Sequence, residues 1–151
     1  MGKHFQGTSE QERALAAYVK LLRASSTVST EVTQHLSDAG LTQTQFAVLE
    51  ALYHIGPMCL GEVADKILTS GGNLTLVVNN LEKRGLAARM QAGKDRRFVR
   101  VEITPKGQKL IAQIFPEHVR HIVSAMNALT PEEQERLGEL CRKLGRREVN
   151  Q

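Results

Sequence analysis

The spacing of apolar residues constrains the fold of this chain more than any other feature of the sequence. Apolar residues recur at helical spacing along most of the 151 residues, but over residues 86–103 they recur at every second position. A period of about 3.6 residues indicates amphipathic helices, and a period of about two indicates strands buried on one face. A polar turn containing glycine, residues 92–96, separates the two alternating runs. The sequence therefore predicts one β-hairpin within an otherwise helical chain.

Start and stop signals divide the remaining residues into helices. A Ser or Thr followed three residues later by Glu or Gln is typical of a helix N-terminus. The sequence has such pairs at Ser9/Glu12, Thr42/Gln45 and Thr130/Glu133. Gly85 stands where a left-handed C-cap belongs, and Pro116 should kink or break its helix because an interior proline lacks the N–H that the helix needs. The predicted order is helix, helix, short helix, turn, helix, hairpin, helix, helix, and the first helix covers about residues 9–37.

The short helix, the turn and the next helix form a predicted helix-turn-helix, and the hairpin after them is a predicted wing. The second helix is aliphatic on one side, as a packed recognition helix requires. Its other side offers short donors and acceptors that suit base edges in the major groove and phosphates. These residues are Ser70, Asn73, Thr75, Asn79 and Asn80.

The basic residues are concentrated around the hairpin. The formal net charge of the whole chain is only +4, but residues 83–109 contain nine basic and two acidic residues. Such a local field indicates a polyanionic partner. Lys94, Arg96 and Arg97 at the hairpin tip would suit a narrow minor groove, where the negative potential attracts arginine. Asp95 should orient Arg97 by pairing with it.

Two segments carry a resemblance to a known family. Residues 95–107, DRRFVRVEITPKG, resemble the wing signature of MarR-type regulators, and residues 79–86, NNLEKRGL, resemble the end of their recognition helix. The resemblance implies a homodimer held by the first helix and the last two. It also implies a repressor that many members release from DNA on binding a small phenolic or lipophilic molecule. Residues 73–86 and 114–118 look most like members that respond to quinones and catechols.

By position in that family, Arg97 would be the minor-groove arginine and Asp95 its partner, and Asn73, Thr75 and Asn79 would face bases. We therefore predict a mainly α fold with a small β-hairpin wing, in a single domain. Residues 42–104 would form the winged helix-turn-helix lobe, and residues 9–37 and 105–147 the helical dimerisation stem. The partners would be double-stranded DNA, a second copy of the chain and an aromatic effector.

The effector would lie between lobe and stem, against the aromatic residues Phe46, Tyr53 and Phe115. The prediction includes no cofactor and no bound metal. No apolar run approaches the ~18 residues of a membrane span, and the N-terminus lacks an apolar signal core. We therefore expect a cytoplasmic protein that does not enter the membrane.

Other functions stay open at this stage. His118 and His121 are spaced to share a metal, with Glu31 and His35 as the only obvious further ligands, although a metal needs three or four. Cys59 stands at a helix start and is a candidate redox sensor. The sequence has no nucleophile elbow, phosphate loop, metal-hydrolase motif or dinucleotide fingerprint, so we expect no enzyme. A winged helix that binds only protein would not need the basic hairpin.

Overall fold

The computed structural model describes residues 5–67, 71–91 and 99–146. Its helices are α1 (Ser9–Thr33), α2 (Gln43–Ile55), α3 (Leu60–Ile67), α4 (Gly71–Lys83), α5 (Pro105–Met126) and α6 (Pro131–Gly145). Its strands are β1 (Met58–Cys59), β2 (Ala87–Gln91) and β3 (Val99–Ile103), and a 3-10 turn, Gln34–Ser37, follows α1. The predicted fold, mainly helical with one hairpin, is confirmed.

The chain folds as two compact units, one formed by the residues before 33 and after 119, the other by residues 33–119. The second unit contains the main hydrophobic core, which draws on α2, α3, α4, β3 and α5. Its most completely buried side chains are Leu36, Val48, Leu49, Leu52, Val63, Leu74, Val78, Leu81, Val101 and Ile111. Within the described residues, no helix is both long and apolar enough to cross a bilayer.

The helix ends follow the predicted chemistry with one correction. Thr42 and Thr130 cap α2 and α6, each in a complete capping box. At α1, however, the cap is Thr8, whose hydroxyl accepts from the Gln11 N–H while the Gln11 side chain accepts from the Thr8 N–H. The sequence offers both pairs one residue apart, so the pattern alone does not distinguish Thr8 from Ser9.

Helix α5 continues through Pro116, so of the predicted kink or break, the break does not occur. A proline removes one backbone donor from the helix and crowds the preceding turn. The neighbouring residues Ile111, Ile114 and Phe115 pack in or against the hydrophobic core. That packing offsets the lost hydrogen bond, since tertiary contacts supply most of a helix's stability.

The sheet has the strand order β1–β3–β2 and is antiparallel throughout. The sequence missed β1, because a strand of two residues is too short to show a period. The alternation of Leu86, Ala88 and Met90 predicts that these residues share the buried face of the hairpin, and the pairing corrects this. Arg89 lies opposite Val101 and Ala87 opposite Ile103. Residues 87 and 89 therefore share the face of the fully buried Val101. Met90, which the alternation had placed inward, is 41% exposed.

Glu82 explains how an arginine can occupy the inner face of β2. One carboxylate oxygen of Glu82, on α4, accepts from the Arg89 N–H at 2.9 Å, and the other accepts from its guanidinium. Both side chains are largely withdrawn from water. The ion pair therefore attaches α4 to the hairpin.

The C-terminal end of α4 is also attached to the start of α5. Gly85 adopts φ +69°, and the Leu86 N–H returns to the Leu81 carbonyl at 2.9 Å, as in a Schellman cap. Thr104 donates from its N–H to the Leu86 carbonyl and from its hydroxyl to the Gly85 carbonyl. These bonds hold α4 in place from beyond its own last turn.

Two basic side chains extend this attachment. Lys106 donates from Nζ to the Arg84 carbonyl at 2.8 Å. Arg84 itself donates from Nη1 to the carbonyl of Gly40 at 2.7 Å, in the turn before α2. The end of α4, the start of α5 and the turn at residues 38–41 therefore form one hydrogen-bonded junction, which we call the α4–α5 junction.

The junction leaves no room for a side chain at Gly107. A Cβ at Gly107 would overlap the Leu86 carbonyl oxygen. We expect Gly107→Ala to lower the free energy of unfolding by about 1–3 kcal/mol, the usual cost of overpacking. Urea unfolding followed by circular dichroism measures the change.

Gly138→Ala is the matched control, because a Cβ there meets no atom within 4 Å. It lies inside α6, and Ala should stabilise that helix by up to about 1 kcal/mol. Equal stabilities of the two variants would contradict the close contact at Gly107.

Candidate nucleic-acid interface

Helices α3 and α4 form a helix-turn-helix whose second helix has two distinct faces. Leu74, Val78 and Leu81 of α4 are fully buried in the core. The predicted contact residues Asn73 and Thr75 are exposed on α4, and Asn79 and Asn80 are half-buried. The structure therefore brings four of the predicted contacts together on one helix. Ser70, Lys94, Asp95, Arg96 and Arg97 lie outside the described residues.

Two further residues of α4 belong to its outward face, although the sequence analysis did not select them. Leu76 is exposed, and so is Lys83. Residues three, four or seven positions apart share a helix face, so both lie on the side of Asn79 and Asn80. The spacing of positions 76, 79, 80 and 83 could have identified this face from the sequence. Leu76 obscured it, because it is an apolar residue among polar ones.

The basic stretch is only partly available to a partner. Arg84 and Lys106 donate to backbone carbonyls, and Arg89 is paired with Glu82. The charge of Arg100 acts on Glu62. Counting charges along the sequence therefore overstates the positive surface, because several of these cations stabilise the lobe itself.

Cys59 occupies the start of α3, and Glu62 reaches back to it. The Cys59 N–H donates to Glu62 Oε2 at 2.9 Å. Hydrogen bonds from the Cys59 backbone and thiol, together with the charge of Arg100, hold the pKa of Glu62 below its ordinary value. The Cys59 thiol therefore takes part in the hydrogen bonding at the start of α3.

A cluster of aromatic and imidazole rings lies in the unit of residues 33–119, and His118 is at its centre. His118 is 7% exposed. Its ring centroid lies 4.4 Å from that of Phe46, 5.2 Å from that of His35 and 6.3 Å from that of Phe115. Two of the three predicted pocket residues, Phe46 and Phe115, thus meet the same imidazole.

The third predicted residue, Tyr53, lies at the exposed edge of the cluster. The His54 ring is 5.1 Å from Tyr53 and 4.8 Å from Phe115. Burial raises the pKa of Glu50, one turn before His54 on α2, and interaction with His54 partly offsets the rise. The sequence analysis missed His54 and Glu50, and it considered His35 only as a possible metal ligand. On α2, the spacing of Glu50 and His54 from Phe46 and Tyr53 was the available signal.

A cavity of about 370 Å³ lies beside the cluster. It is bounded by His35, Asp38 and Ala39 on one side and by α5 on the other. The α5 residues are Leu110, Gln113, Ile114 and Glu117. The volume is at the lower end of what small-molecule sites usually offer. Among the described residues, no group of three or more His, Cys, Asp or Glu side chains is arranged to hold a metal ion.

The other unit presents an apolar groove between α1 and α6, with a volume of about 400 Å³. Four residues of α1, two small and two large, and four residues of α6, three of them leucines, form it. The lining residues are Ala14, Ala17, Tyr18, Leu21, Leu137, Leu140, Cys141 and Leu144. Five of them are large apolar side chains that are exposed in the single chain. Contiguous exposed apolar surface of this kind marks an interaction site.

Comparison with known proteins gives concordant results. Residues 41–99 match the family model of the MarR family. The chain is 37% identical to the transcriptional regulator MhqR of Bacillus subtilis (strain 168), over 89% of this chain and 92% of MhqR. It is 38% identical to the regulator YkoM of the same strain, over 90% of this chain and 88% of YkoM.

Among solved structures, the chain is similar to Bordetella bronchiseptica BpsR, whose DNA binding is regulated by 6-hydroxynicotinic acid. The TM-score is 0.81 at 29% identity, and the alignment covers 87% of this chain and 99% of BpsR. The two proteins therefore share their fold over nearly the full length of BpsR.

The arrangement at the start of α3 leads to a stability prediction. Glu62 already supplies half of a capping box, but sulfur is a poor acceptor for the N-terminal amides of a helix. We expect Cys59→Ser to complete the box and to raise the free energy of unfolding by about 0.5–1 kcal/mol. Chemical denaturation under reducing conditions measures it.

Cys141→Ser is the control, because Cys141 is exposed in the middle of α6 and caps no helix. Its stability should stay close to that of the unchanged chain. A loss of stability in Cys59→Ser would show that packing of the thiol outweighs its capping role.

Proposed function

This chain belongs to the MarR family of transcriptional regulators, and from that premise we propose that it binds a pseudo-palindromic DNA site as a homodimer and represses transcription in the cytoplasm. A small aromatic, phenolic or quinone-like effector releases it from DNA. The relatives reported above are transcriptional regulators, which points to a regulator and not to an enzyme.

The observation that carries this proposal is the division of α4 into two faces. Its aliphatic face is locked in the core, and the α4–α5 junction and the Glu82–Arg89 pair fix the helix on two sides. Its outward face presents Asn73 and Thr75 near the N-terminus, which is the part of a recognition helix that meets base edges. Amide and hydroxyl side chains suit those edges.

The hairpin completes the proposed DNA contact. Strands β2 and β3 lead to and from the tip. Lys94, Arg96 and Arg97 give the hairpin tip a positive charge that suits a narrow minor groove. Arg97 enters the minor groove, and Asp95 orients it.

A second copy of the chain is the proposed occupant of the groove between α1 and α6. The groove is lined by apolar side chains, and an isologous contact would bury the same surface twice. We assign residues 9–37 and 105–147 to this dimerisation stem and residues 42–104 to the DNA-binding lobe. Two recognition helices would then reach successive major grooves.

The proposed effector site is the ring cluster and the adjacent cavity. Phe46 and Phe115 meet at His118, and Tyr53 extends the cluster toward solvent. Flat aromatic molecules stack on such rings, and a hydroxyl on the effector would find acceptors in the imidazoles and Glu50. BpsR, which responds to 6-hydroxynicotinic acid, supports an effector of this class. To release DNA, the effector must bind one conformation more tightly than the other.

A test of the DNA contact uses variants of α4. We expect Asn73→Ala to weaken binding to a duplex selected from random DNA by the unchanged protein, by about 1–3 kcal/mol if Asn73 contacts a base edge. Binding to unrelated DNA should not change. Fluorescence anisotropy measures both affinities, and sedimentation of the complex should show at least two chains per duplex.

Asn127→Ala supplies the control, since Asn127 is exposed in the turn after α5. It should bind the selected duplex as the unchanged protein does. The proposal is wrong if Asn73→Ala and Asn127→Ala bind alike, or if a single chain forms the complex.

A second test concerns the effector. We expect 6-hydroxynicotinic acid, phenol or hydroquinone to release the unchanged protein from its duplex. Phe115→Leu should bind DNA normally but need about three to ten times more of the active compound, because it loses an aromatic contact. Titration of the preformed complex measures the release.

The control for covalent sensing is the double variant Cys59→Ser/Cys141→Ser. It should still release DNA with the same compound, because the proposed site contains neither thiol. Loss of release in this variant, with DNA binding intact, would assign the sensor to a cysteine instead.

A further inference from the structure

The outward face of α4 carries an apolar side chain that the fold does not use. Leu76 is 63% exposed, the largest exposed fraction of any large apolar side chain in the described part of the chain. The core side of α4 is already supplied by Leu74, Val78 and Leu81, all completely buried. Leu76 therefore adds little to the stability of the folded chain and keeps its apolar surface in water.

The position of Leu76 separates it from most of the other exposed apolar residues. Most of those lie on α1, α5 and α6, helices of the proposed dimerisation stem. Leu76 instead lies among polar residues, next to the exposed Thr75, one turn before Asn79 and Asn80 and two turns before Lys83. It is thus an apolar patch on the surface that the proposed function turns toward DNA.

Double-stranded DNA offers one apolar group to such a residue in the major groove. Thymine carries a C5-methyl group there, whereas the other bases present polar donors and acceptors at their major-groove edges. We infer that Leu76 packs against a thymine methyl group in each half-site and so selects an A·T pair. The inference rests on the proposed placement of α4 in the major groove.

This contact would favour an A·T pair and disfavour a G·C pair at the same position. Packing on the methyl group removes apolar surface of both partners from water. At a G·C pair, the same side chain would cover a polar base edge without offering it a hydrogen bond, and that leaves a desolvated group unpaired. The neighbouring Asn and Thr side chains can satisfy polar edges, but Leu76 cannot. It therefore contributes discrimination against G·C pairs.

Replacing thymine by deoxyuridine removes only the methyl group, so it tests the contact directly. In a duplex selected from random DNA by the unchanged protein, each thymine of a half-site is replaced singly. We expect one of these single replacements to weaken binding about fourfold, which is the effect of exposing one methyl-sized group. The other replacements should have little effect.

Leu76→Ala completes the test. It should bind the thymine duplex more weakly than the unchanged protein does, and it should lose most of the fourfold preference for thymine over deoxyuridine. Lys83→Ala is the matched control on the same helix face. It removes a cation that can meet a phosphate, so it should weaken binding to both duplexes equally and keep the fourfold ratio.

The outcomes separate this inference from the function on which it rests. If every deoxyuridine replacement is silent, or if Leu76→Ala keeps the full ratio, the inference about Leu76 is wrong and the DNA-binding function stands. If the unchanged protein selects no sequence from the pool, both are wrong. If Leu76→Ala changes the oligomeric state in sedimentation, Leu76 faces a second copy of the chain, and the thymine contact is overturned.

Discussion

The carbonyl groups at the end of α4 need partners that the helix itself cannot supply, and the lobe is organised around providing them. The last carbonyls of any helix lack intrahelical donors. Here Lys106 donates to the Arg84 carbonyl, Thr104 donates to the carbonyls of the turn that follows the helix, and Gly85 turns the chain so that the Leu86 N–H can return to the helix. The same few residues that end the recognition helix therefore also fix the direction of the next helix.

This arrangement explains why a short, polar helix can be held rigidly. Helix α4 has a mixed sequence, and a helix of this length is marginal alone in water. Its position comes from three attachments: the aliphatic side in the core, the ion pair of Glu82 with Arg89, and the α4–α5 junction. Because the aliphatic side is buried in the core and Leu76 and Lys83 are exposed, these two residues carry little of the structural burden.

Much of the fold could be predicted from the sequence, because its signals are local. The capping boxes at Thr42 and Thr130, the Gly85 turn and the hairpin period each depend on a few neighbouring residues. Features that depend on distant partners were missed. Strand β1 forms only because β3 lies beside it, and the face of β2 is set by Glu82, seven residues before Arg89. The same holds for the site: Asn73 and Thr75 follow from helical period, whereas His118 joins Phe46 only through packing between α2 and α5.

Because α4 has two faces, substitutions that disturb the fold and substitutions that change the DNA target fall on different residues of the helix. A substitution at Leu74 or Val78 alters a packed core, where the loss of a side chain is costly. A substitution on the exposed side, by contrast, usually changes stability by only a few tenths of a kcal/mol. A gene duplicate of this protein could therefore acquire a new DNA target through a few changes on one side of a single helix, while the packed core of the fold stays as it was.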